Sequence, residues 1–287
     1  MRVAIQGELG SNSHLAVQEL VGEEELVPCS LSAEVFERLE DGSADAAVLP
    51  IENSLHGAVA DHYDLLLDHA VTIVAETSLR IRHALIAAAA LPIEQVERVF
   101  SHPVALSQCR RFFLTHPQCR AVPAYDTAGS VKMVLASGDA AEAAIAAPYA
   151  AEVYGGTILA RDLEDDPQNF TRFLLLYPKT GAPAAALGPE VALKVSVAFS
   201  IAHRPGSLVH TLSLLAAQGA DLTRIESRPV PGRPWEYVFF VDLRMERAGG
   251  VDGLLRALER ECHFVKELGR YASNRPEGAA GTGPGGV

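Results

Sequence analysis

The chain has 287 residues, of which 48% are hydrophobic and 21% charged, and its formal net charge is −12. It is longer than a typical single domain and has the composition of an ordinary globular protein, so two or more compact units are expected. The negative charge argues against a nucleic-acid-binding protein, which normally presents a basic face. An anionic ligand must be met by local donors, because the overall field repels it.

The sequence also argues against secretion and membrane insertion. Residues 1–5 enter a strand-like run without the apolar stretch of a signal peptide, and the apolar residues 84–91 are too few to cross a bilayer. We therefore expect a cytoplasmic protein with neither a nucleic-acid nor a membrane partner. Four widely spaced cysteines without a CxxC pair predict reduced thiols and neither a zinc site nor a disulfide framework. They are Cys29, Cys109, Cys119 and Cys262.

Up to about residue 180, short apolar runs alternate with helical segments. This alternation predicts an α/β fold with largely parallel sheets and ligands bound at strand ends. The predicted strands are residues 3–6, 46–50, 71–75, 82–87, 98–101, 143–146 and 173–177. The predicted helices are a segment from Ser11 or Ser13 to Val21, then residues 33–39, 59–67, 103–114, 128–136 and 149–154.

A change of composition separates this part from a second unit. Residues 181–190, rich in Gly, Ala and Pro, are predicted to be a linker. Residues 191–270 then show a β-α-β-β-α-β pattern in the ferredoxin-like order, with Gly219 placed just after the first helix. Residues 271–287 offer little to bury and are predicted to be a disordered tail.

Several loops carry polar groups at predicted strand ends. Residues 7–11 lie at a strand-to-helix turn whose amides could hold an anion, although a plain turn is equally open. Glu52, Asn53 and Ser54 follow a buried-looking strand, where α/β proteins place ligand contacts. Since Ser54 alone would cap the next helix, the other two favour a functional role.

Three further segments are individually ambiguous. Ser101-His102-Pro103 ends a strand and begins the helix that carries Gln108, so Ser101 can be a simple cap. Thr127 opens another helix. The run 169–173 places polar groups, an arginine and two phenylalanines before an apolar strand. Its Arg172 suits bidentate binding of a carboxylate, or pairs with a neighbouring acid.

Together these segments resemble the prephenate dehydratase family joined to a C-terminal ACT regulatory domain, over residues 1 to 270. The resemblance depends on segments that occur in family order. They are Pro50-Ile51-Glu52-Asn53-Ser54 with Gly57, Ser101-His102-Pro103 with Gln108-Cys109, Asn169-Phe170-Thr171-Arg172-Phe173, Pro205-Gly206, and Ile225-Glu226-Ser227-Arg228-Pro229. Two positions depart from the family pattern: Gly7-Glu8 stands where Gly-Pro is usual, and Ser207 stands where alanine is usual.

The resemblance implies a catalytic domain at residues 1–180, with subdomains of about 1–77 plus 157–180 and of 78–156. These would flank a cleft, as in type II periplasmic binding proteins. It also implies an ACT domain at residues 191–270. The implied activity is a lyase reaction without a cofactor, in which prephenate loses water and carbon dioxide to give phenylpyruvate for phenylalanine biosynthesis. L-Phenylalanine would be the allosteric effector of a homodimer or homotetramer assembled through the ACT and catalytic domains.

The same resemblance assigns roles to individual residues. The catalytic set would be Thr171, as the central donor, with Asn53, Ser101 and Gln108. Arg172 would anchor a carboxylate and Phe173 would pack. The full set of substrate contacts would be Glu52, Ser54, His102, Thr127, Asn169, Arg172 and Phe173. The effector contacts would be Gly206, Leu208, Glu226, Ser227 and Arg228.

Two alternatives stay open. The first is arogenate dehydratase, which performs the same elimination on a substrate with an amino group in place of the side-chain ketone. The second is a non-catalytic amino-acid sensor that combines a binding-protein cleft with an ACT module. The run 169–173 speaks against a sensor, because a sensor would not require the full catalytic set.

Overall fold

A computed structural model describes residues 1–183, 193–230, 232–233, 235–246 and 250–273. It divides into two compact units, one of residues 1–57 and 79–173 and the other of residues 58–78 and 174–287. Most of the predicted linker (181–190) and of the predicted tail (271–287) lies outside the described residues. The predicted domain and subdomain boundaries stay predictions.

The described residues contain nine α-helices and fifteen strands. The helices are α1 (Asn12–Val21), α2 (Ser32–Glu40), α3 (Ala60–Asp68), α4 (Pro103–Ser107), α5 (Arg110–Thr115), α6 (Thr127–Ser137), α7 (Pro148–Tyr154), α8 (Ser207–Ala217) and α9 (Val251–Glu261). The strands are β1 (Arg2–Gln6), β2 (Glu25–Cys29), β3 (Ala46–Asn53), β4 (Gly57–Ala58), β5 (Val71–Arg80), β6 (Ala84–Ala87), β7 (Arg98–Ser101), β8 (Arg120–Pro123), β9 (Glu142–Ala146), β10 (Thr157–Ala160), β11 (Phe170–Pro178), β12 (Leu193–Ser200), β13 (Asp221–Pro229), β14 (Tyr237–Met245) and β15 (Phe264–Ala272). Among the described residues, no helix is long and apolar enough to span a membrane.

Two sheets organise the first unit. In one, β1 lies between β2 and β3 and is parallel to both, and its central residues are fully buried. The other has the order β10-β6-β9-β7-β8. It is mixed, because β7 is parallel to β8 and β9 whereas β6 is antiparallel to β9 and β10. The predicted α/β class is confirmed, but the second sheet is less parallel than expected.

Local chemistry explains where helix α1 begins and how its loop packs. Ser11 is the N-cap, and its hydroxyl accepts from the N–H of His14. Gly10, with φ of +80°, brings the preceding loop against helix α7. A Cβ there would lie 2.9 Å from the Cα of Ala150, which only glycine avoids.

The predicted helix over residues 103–114 is wrong, because the structure breaks it into α4 and α5. Cys109 leaves the helical region, with φ of −121° and ψ of 35°. The carbonyl of Gln108 accepts from the N–H of Asp165, whose carboxylate accepts from the N–H groups of Arg110 and Arg111. A distant aspartate thus caps the second half, and Gln108 lies at the break.

The second unit contains the predicted βαββαβ order as β12-α8-β13-β14-α9-β15. Its antiparallel sheet has the order β13-β14-β12-β15, and strand β5 adds in parallel beside β15. Gly219, with φ of +76°, follows the end of helix α8 as predicted. Strand β15 extends beyond the predicted 270, and Tyr271 on it is fully buried.

The two faces of this sheet differ in chemistry. Side chains alternate along a strand, and Val195, Val197 and Phe199 form an apolar core with residues of helices α8 and α9. On the other face of β12, Lys194 and Ser196 are buried polar groups. Lys194 forms an ion pair with Glu76 at 2.7 Å, and Ser196 donates to Asp242 at 2.5 Å.

Candidate functional site

Asn53, at the end of β3, is the centre of a polar cluster in the first unit. Its Nδ2 lies 2.7 Å from Oδ1 of Asn169, 2.9 Å from Oγ1 of Thr171 and 3.1 Å from the carbonyl of Phe170. Its Oδ1 accepts from the backbone N–H groups of Leu55 and His56, each at 3.0 Å. These contacts fix the amide orientation, because every group facing Nδ2 is an acceptor.

The hydrogen bond from Asn53 determines how the Thr171 hydroxyl is used. A threonine hydroxyl has one proton and accepts through its lone pairs. Since Oγ1 accepts from Asn53, its proton is left to donate to another group. The half-buried Thr171 is therefore prepared as a hydrogen-bond donor.

Asn169 and Ser54 are the two residues that hold the segment that carries Thr171. Asn169 is fully buried, and its Nδ2 has no hydrogen-bond partner among the described residues. The sequence allowed Ser54 to cap the next helix, but in the structure it does not. Its hydroxyl donates to the carbonyl of Gln168 at 2.8 Å and accepts from the N–H of Phe170 at 2.9 Å. Both contacts tie the segment to the end of β3.

Gln108 extends this cluster through two histidines. Its Oε1 lies 2.9 Å from Nε2 of His83, and its Nε2 lies 3.2 Å from Nδ1 of His56. Burial lowers the pKa of His83, which is only 2% exposed, so its ring is neutral at pH 7. The sequence reasoning missed both histidines. Only the position of His56 in the segment 52–57 could have suggested it.

Arg172 and Phe173 follow Thr171 on β11. An η-nitrogen of Arg172 lies 3.9 Å from Oε2 of Glu52, so the guanidinium is already near a carboxylate of the chain. This is the pairing with a neighbouring acid that the sequence allowed. Phe173 is buried, and its role at the site stays a prediction.

The remaining predicted residues lie on the second sheet or at the start of helices that follow its strands. Ser101 is fully buried, and its hydroxyl donates to the carbonyl of Ile145, so its single proton is already used between β7 and β9. His102 is the N-cap of α4, because its Nδ1 accepts from the N–H of Val104. Thr127 is half-buried in the first turn of α6. Their contact with a substrate stays a prediction.

The first loop contributes a carboxylate, and this argues against anion binding there. Oε1 of Glu8 accepts from the Tyr125 hydroxyl at 3.0 Å, and its Oε2 lies 3.4 Å from Nζ of Lys132. Burial, together with this hydrogen bond, raises the pKa of Tyr125 to about 12. Burial also raises the pKa of Asp126, whose carboxylate caps helix α6.

The second unit contains the five predicted effector residues. Gly206 is the N-cap of α8 with φ of +85°, and Leu208 is half-buried on that helix. Glu226 and Ser227 lie on β13. Arg228 forms a two-point ion pair with Asp64 on helix α3. The structure thus gives Arg228 a salt-bridge partner within the chain, and effector binding stays a prediction.

Fold and site together define an α/β protein with a centre of neutral amide and hydroxyl groups, followed by a ferredoxin-like βαββαβ unit. The family model for prephenate dehydratase matches residues 3–180. An arogenate dehydratase/prephenate dehydratase 2, chloroplastic, of Arabidopsis thaliana is 39% identical over 281 residues, which cover 94% of this chain and 72% of that protein. The chain belongs to the prephenate dehydratase family, which confirms the family that the motifs predicted.

Solved structures agree over nearly the whole chain. A prephenate dehydratase from Arthrobacter aurescens in complex with L-Phe has a TM-score of 0.84 and 30% identity, and the match covers 95% of this chain and 90% of that one. A protein described as GqqA, a novel type of quorum quenching acylase, has a TM-score of 0.85 and 30% identity, with 96% and 98% covered. The fold alone therefore does not select one activity.

Proposed function

We propose that this chain is a prephenate dehydratase that converts prephenate to phenylpyruvate with loss of water and carbon dioxide. The observation that carries the proposal is the hydrogen bond from Asn53 to Thr171, which leaves the Thr171 proton available to a ligand. Family membership supports the substrate class.

The chemistry of the substrate matches such a site. Prephenate carries a carboxylate and, across the cyclohexadiene ring, a hydroxyl group. As the carbon–carboxylate bond breaks, its electron pair enters the ring and expels the hydroxyl with the electrons of the C–O bond. The ring becomes aromatic, carbon dioxide leaves, and the oxygen departs as hydroxide, which takes a proton from the solvent to become water. The main task is to stabilise negative charge on that oxygen, which a fixed hydrogen-bond donor does.

The residues divide this task between them. Thr171 would donate to the departing oxygen, and Asn53 would hold the Thr171 hydroxyl in the donating orientation. The Gln108 amide supplies further N–H groups. Arg172 would anchor a substrate carboxylate in competition with Glu52, its partner at 3.9 Å. The assignment requires no nucleophile and no cofactor.

Two other activities have a specific observation behind them. The Arabidopsis relative is named for arogenate as well as prephenate, so arogenate is the second substrate to test. An acylase, as one similar structure is described, needs a nucleophile activated by an adjacent base or a lowered pKa. Here Thr171 pairs with an amide, which is not a base, and burial raises the pKa of Cys109. The site therefore favours the dehydratase.

The second unit would provide control. Its βαββαβ order matches the predicted ACT domain, and the Arthrobacter relative was solved with L-Phe. L-Phenylalanine would inhibit by binding one state of the enzyme better than another. The edge strand β13 exposes Leu222 and Ile225, and such an apolar edge supports pairing between two copies. A dimer or tetramer and a cytoplasmic location stay part of this proposal.

The test is a turnover assay with prephenate and, separately, arogenate, in which phenylpyruvate or phenylalanine is measured against an enzyme-free control at neutral pH. We expect turnover of prephenate by the wild type. Thr171→Val, which keeps the shape but removes the hydroxyl, should lower kcat at least about 100-fold. Thr171→Ser, which keeps the donor, is the matched control and should keep most of the activity.

The outcomes separate the alternatives. Turnover of arogenate alone would replace the proposed substrate. Turnover of neither substrate, with L-phenylalanine still bound, would favour the amino-acid sensor. An undiminished kcat in Thr171→Val would remove Thr171 from the mechanism.

A further inference from the structure

His83 lies just before strand β6 in the core of the first unit, and Gln108 is its hydrogen-bond partner. The ring is 2% exposed, and Nε2 lies 2.9 Å from Oε1 of Gln108. The backbone N–H of His83 donates to Oε2 of the buried Glu164 at 2.9 Å, and Arg80 lies 3.6 Å from the other oxygen of that carboxylate. Backbone and ring are therefore both held.

The second ring nitrogen decides which nitrogen carries the proton. Nδ1 of His83 is buried and has no hydrogen-bond partner in the described part of the chain. If the proton were on Nδ1, the structure would bury an orphaned N–H group, which native proteins rarely tolerate. With the proton on Nε2, only a lone pair is left without a partner. The neutral ring therefore donates from Nε2.

That tautomer in turn fixes the Gln108 side chain. Because Nε2 of His83 is a donor, the group facing it must be the oxygen Oε1 and not the amide nitrogen. The Gln108 N–H groups then point away from His83, and one faces Nδ1 of His56 at 3.2 Å. His56 in turn donates its backbone N–H to Asn53. Gln108 is thereby turned with its donors toward the Asn53 and Thr171 cluster.

We propose that His83 is a positioning residue: its buried, neutral ring fixes the Gln108 amide so that Gln108 can only donate hydrogen bonds toward the candidate site. Without His83 the amide can rotate by half a turn and present its carbonyl oxygen there, opposite the developing negative charge of the departing hydroxyl. The catalytic part of this inference rests on the proposed function. The tautomer does not.

A double-mutant cycle tests whether His83 acts through Gln108. His83→Phe keeps the ring volume without a nitrogen, and we expect it to lower kcat/KM for prephenate about tenfold, the value of one well-placed hydrogen bond. In the Gln108→Ala background the same substitution should change kcat/KM less than about twofold, because the amide that it orients is gone. If the two substitutions lowered kcat/KM independently, so that the double variant showed the product of the two losses, the proposal would be overturned. His83 would then be a general packing residue.

Two variants separate orientation from folding. His83→Gln carries an amide N–H that reaches about as far as Nε2, so it should recover kcat/KM to within about threefold of the wild type. His116→Phe, the same change at a half-buried histidine of the same unit, should have no effect. If His83→Phe does not fold, failure of His83→Gln to keep activity in a folded protein would overturn the proposal.

Nitrogen NMR of the histidine rings at pH 7 gives a readout without turnover. We expect the His83 ring to show the proton on Nε2 in the wild type. A proton on Nδ1, or a charged ring, would overturn the inference even in an active enzyme. If the protein did not turn over prephenate but the His83 proton was on Nε2, the proposed function would be wrong. The positioning of Gln108 by His83 would still stand.

Discussion

Nε and a terminal nitrogen of Arg228 lie 3.2 and 2.6 Å from the two carboxylate oxygens of Asp64. A residue predicted to contact the effector is therefore already bound by a carboxylate of its own chain. Both side chains are partly exposed, so the pair contributes only about 0.2–1 kcal/mol. An incoming carboxylate can compete at that cost.

Release of Arg228 should strengthen effector binding. If L-phenylalanine takes Arg228 from Asp64, then Asp64→Asn should tighten its dissociation constant up to about fivefold, measured by calorimetry. Asp68→Asn, on the same helix with the same change of charge, is the control. Unchanged affinity in Asp64→Asn would leave Arg228 a structural salt bridge.

The donor of Asn53 can be removed with almost no change in shape. Asn53→Asp would place a carboxylate against Asn169 Oδ1 and a backbone carbonyl, which only accept, and against the Thr171 hydroxyl, which would then donate its proton to that carboxylate. We expect kcat/KM for prephenate to fall at least about 100-fold, since the orientation of the Thr171 hydroxyl is lost. Gln118→Glu makes the same change from amide to carboxylate at an exposed residue and should leave kcat/KM for prephenate unchanged. More than a tenth of wild-type activity in Asn53→Asp would contradict the central role of Asn53.

Burial of His83 predicts a loss of stability on acidification. Its pKa is lowered from 6.5 in the folded state, so below pH 6.5 the unfolded chain binds a proton that the folded chain does not. Stability therefore rises with pH through this window and falls as the pH drops toward 5. The lowered pKa of the partly buried His14 acts in the same direction.

His83→Gln isolates the contribution of His83. Removing one such group should flatten the dependence by up to about 1.4 kcal/mol per pH unit, read from denaturant midpoints between pH 5 and 7. Identical slopes for wild type and variant would mean that His83 titrates equally in both states.

The ion pair between Lys194 and Glu76 predicts that replacing Lys194 alone destabilises the fold more than replacing both residues together. Both side chains are nearly buried, so Lys194→Met removes the cation that faces the buried Glu76 carboxylate and should cost about 3–5 kcal/mol. The double variant Lys194→Met with Glu76→Leu replaces the pair by apolar groups and should recover most of that loss. Denaturant unfolding of the wild type, Lys194→Met, Glu76→Leu and the double variant measures the cycle. Additive losses would contradict it.

Periodicity predicted most of the elements, and it failed where distant residues decide the local structure. Helices α4 and α5 look like one helix because apolar residues recur on both sides of Gln108. The break depends on Asp165, more than fifty residues away, which caps α5 from outside. Strand β2 was missed because it includes Glu25 and Pro28, yet pairing with β1 makes it a strand.

The candidate site shows the same limit. Motifs selected Asn53, Asn169 and Thr171, and the structure brings their side chains into hydrogen-bond contact. No local pattern revealed that the Ser101 hydroxyl donates to the carbonyl of Ile145, or that His83 is hydrogen-bonded to Gln108. Such partners are set by tertiary packing and not by spacing along the chain.

Lys266 on β15 donates to the carbonyls of Leu66, Leu67 and His69 and so completes the open C-terminal end of helix α3. The end of helix α3 therefore depends on a side chain that the chain supplies about two hundred residues later. A chimera that replaces the chain after about residue 183 would keep helix α3 but lose Lys266. The three carbonyls would then have no hydrogen-bond donor from that lysine. The βαββαβ unit is consequently not contiguous in sequence, and a replacement unit from another protein would need its own equivalent of residues 58–78.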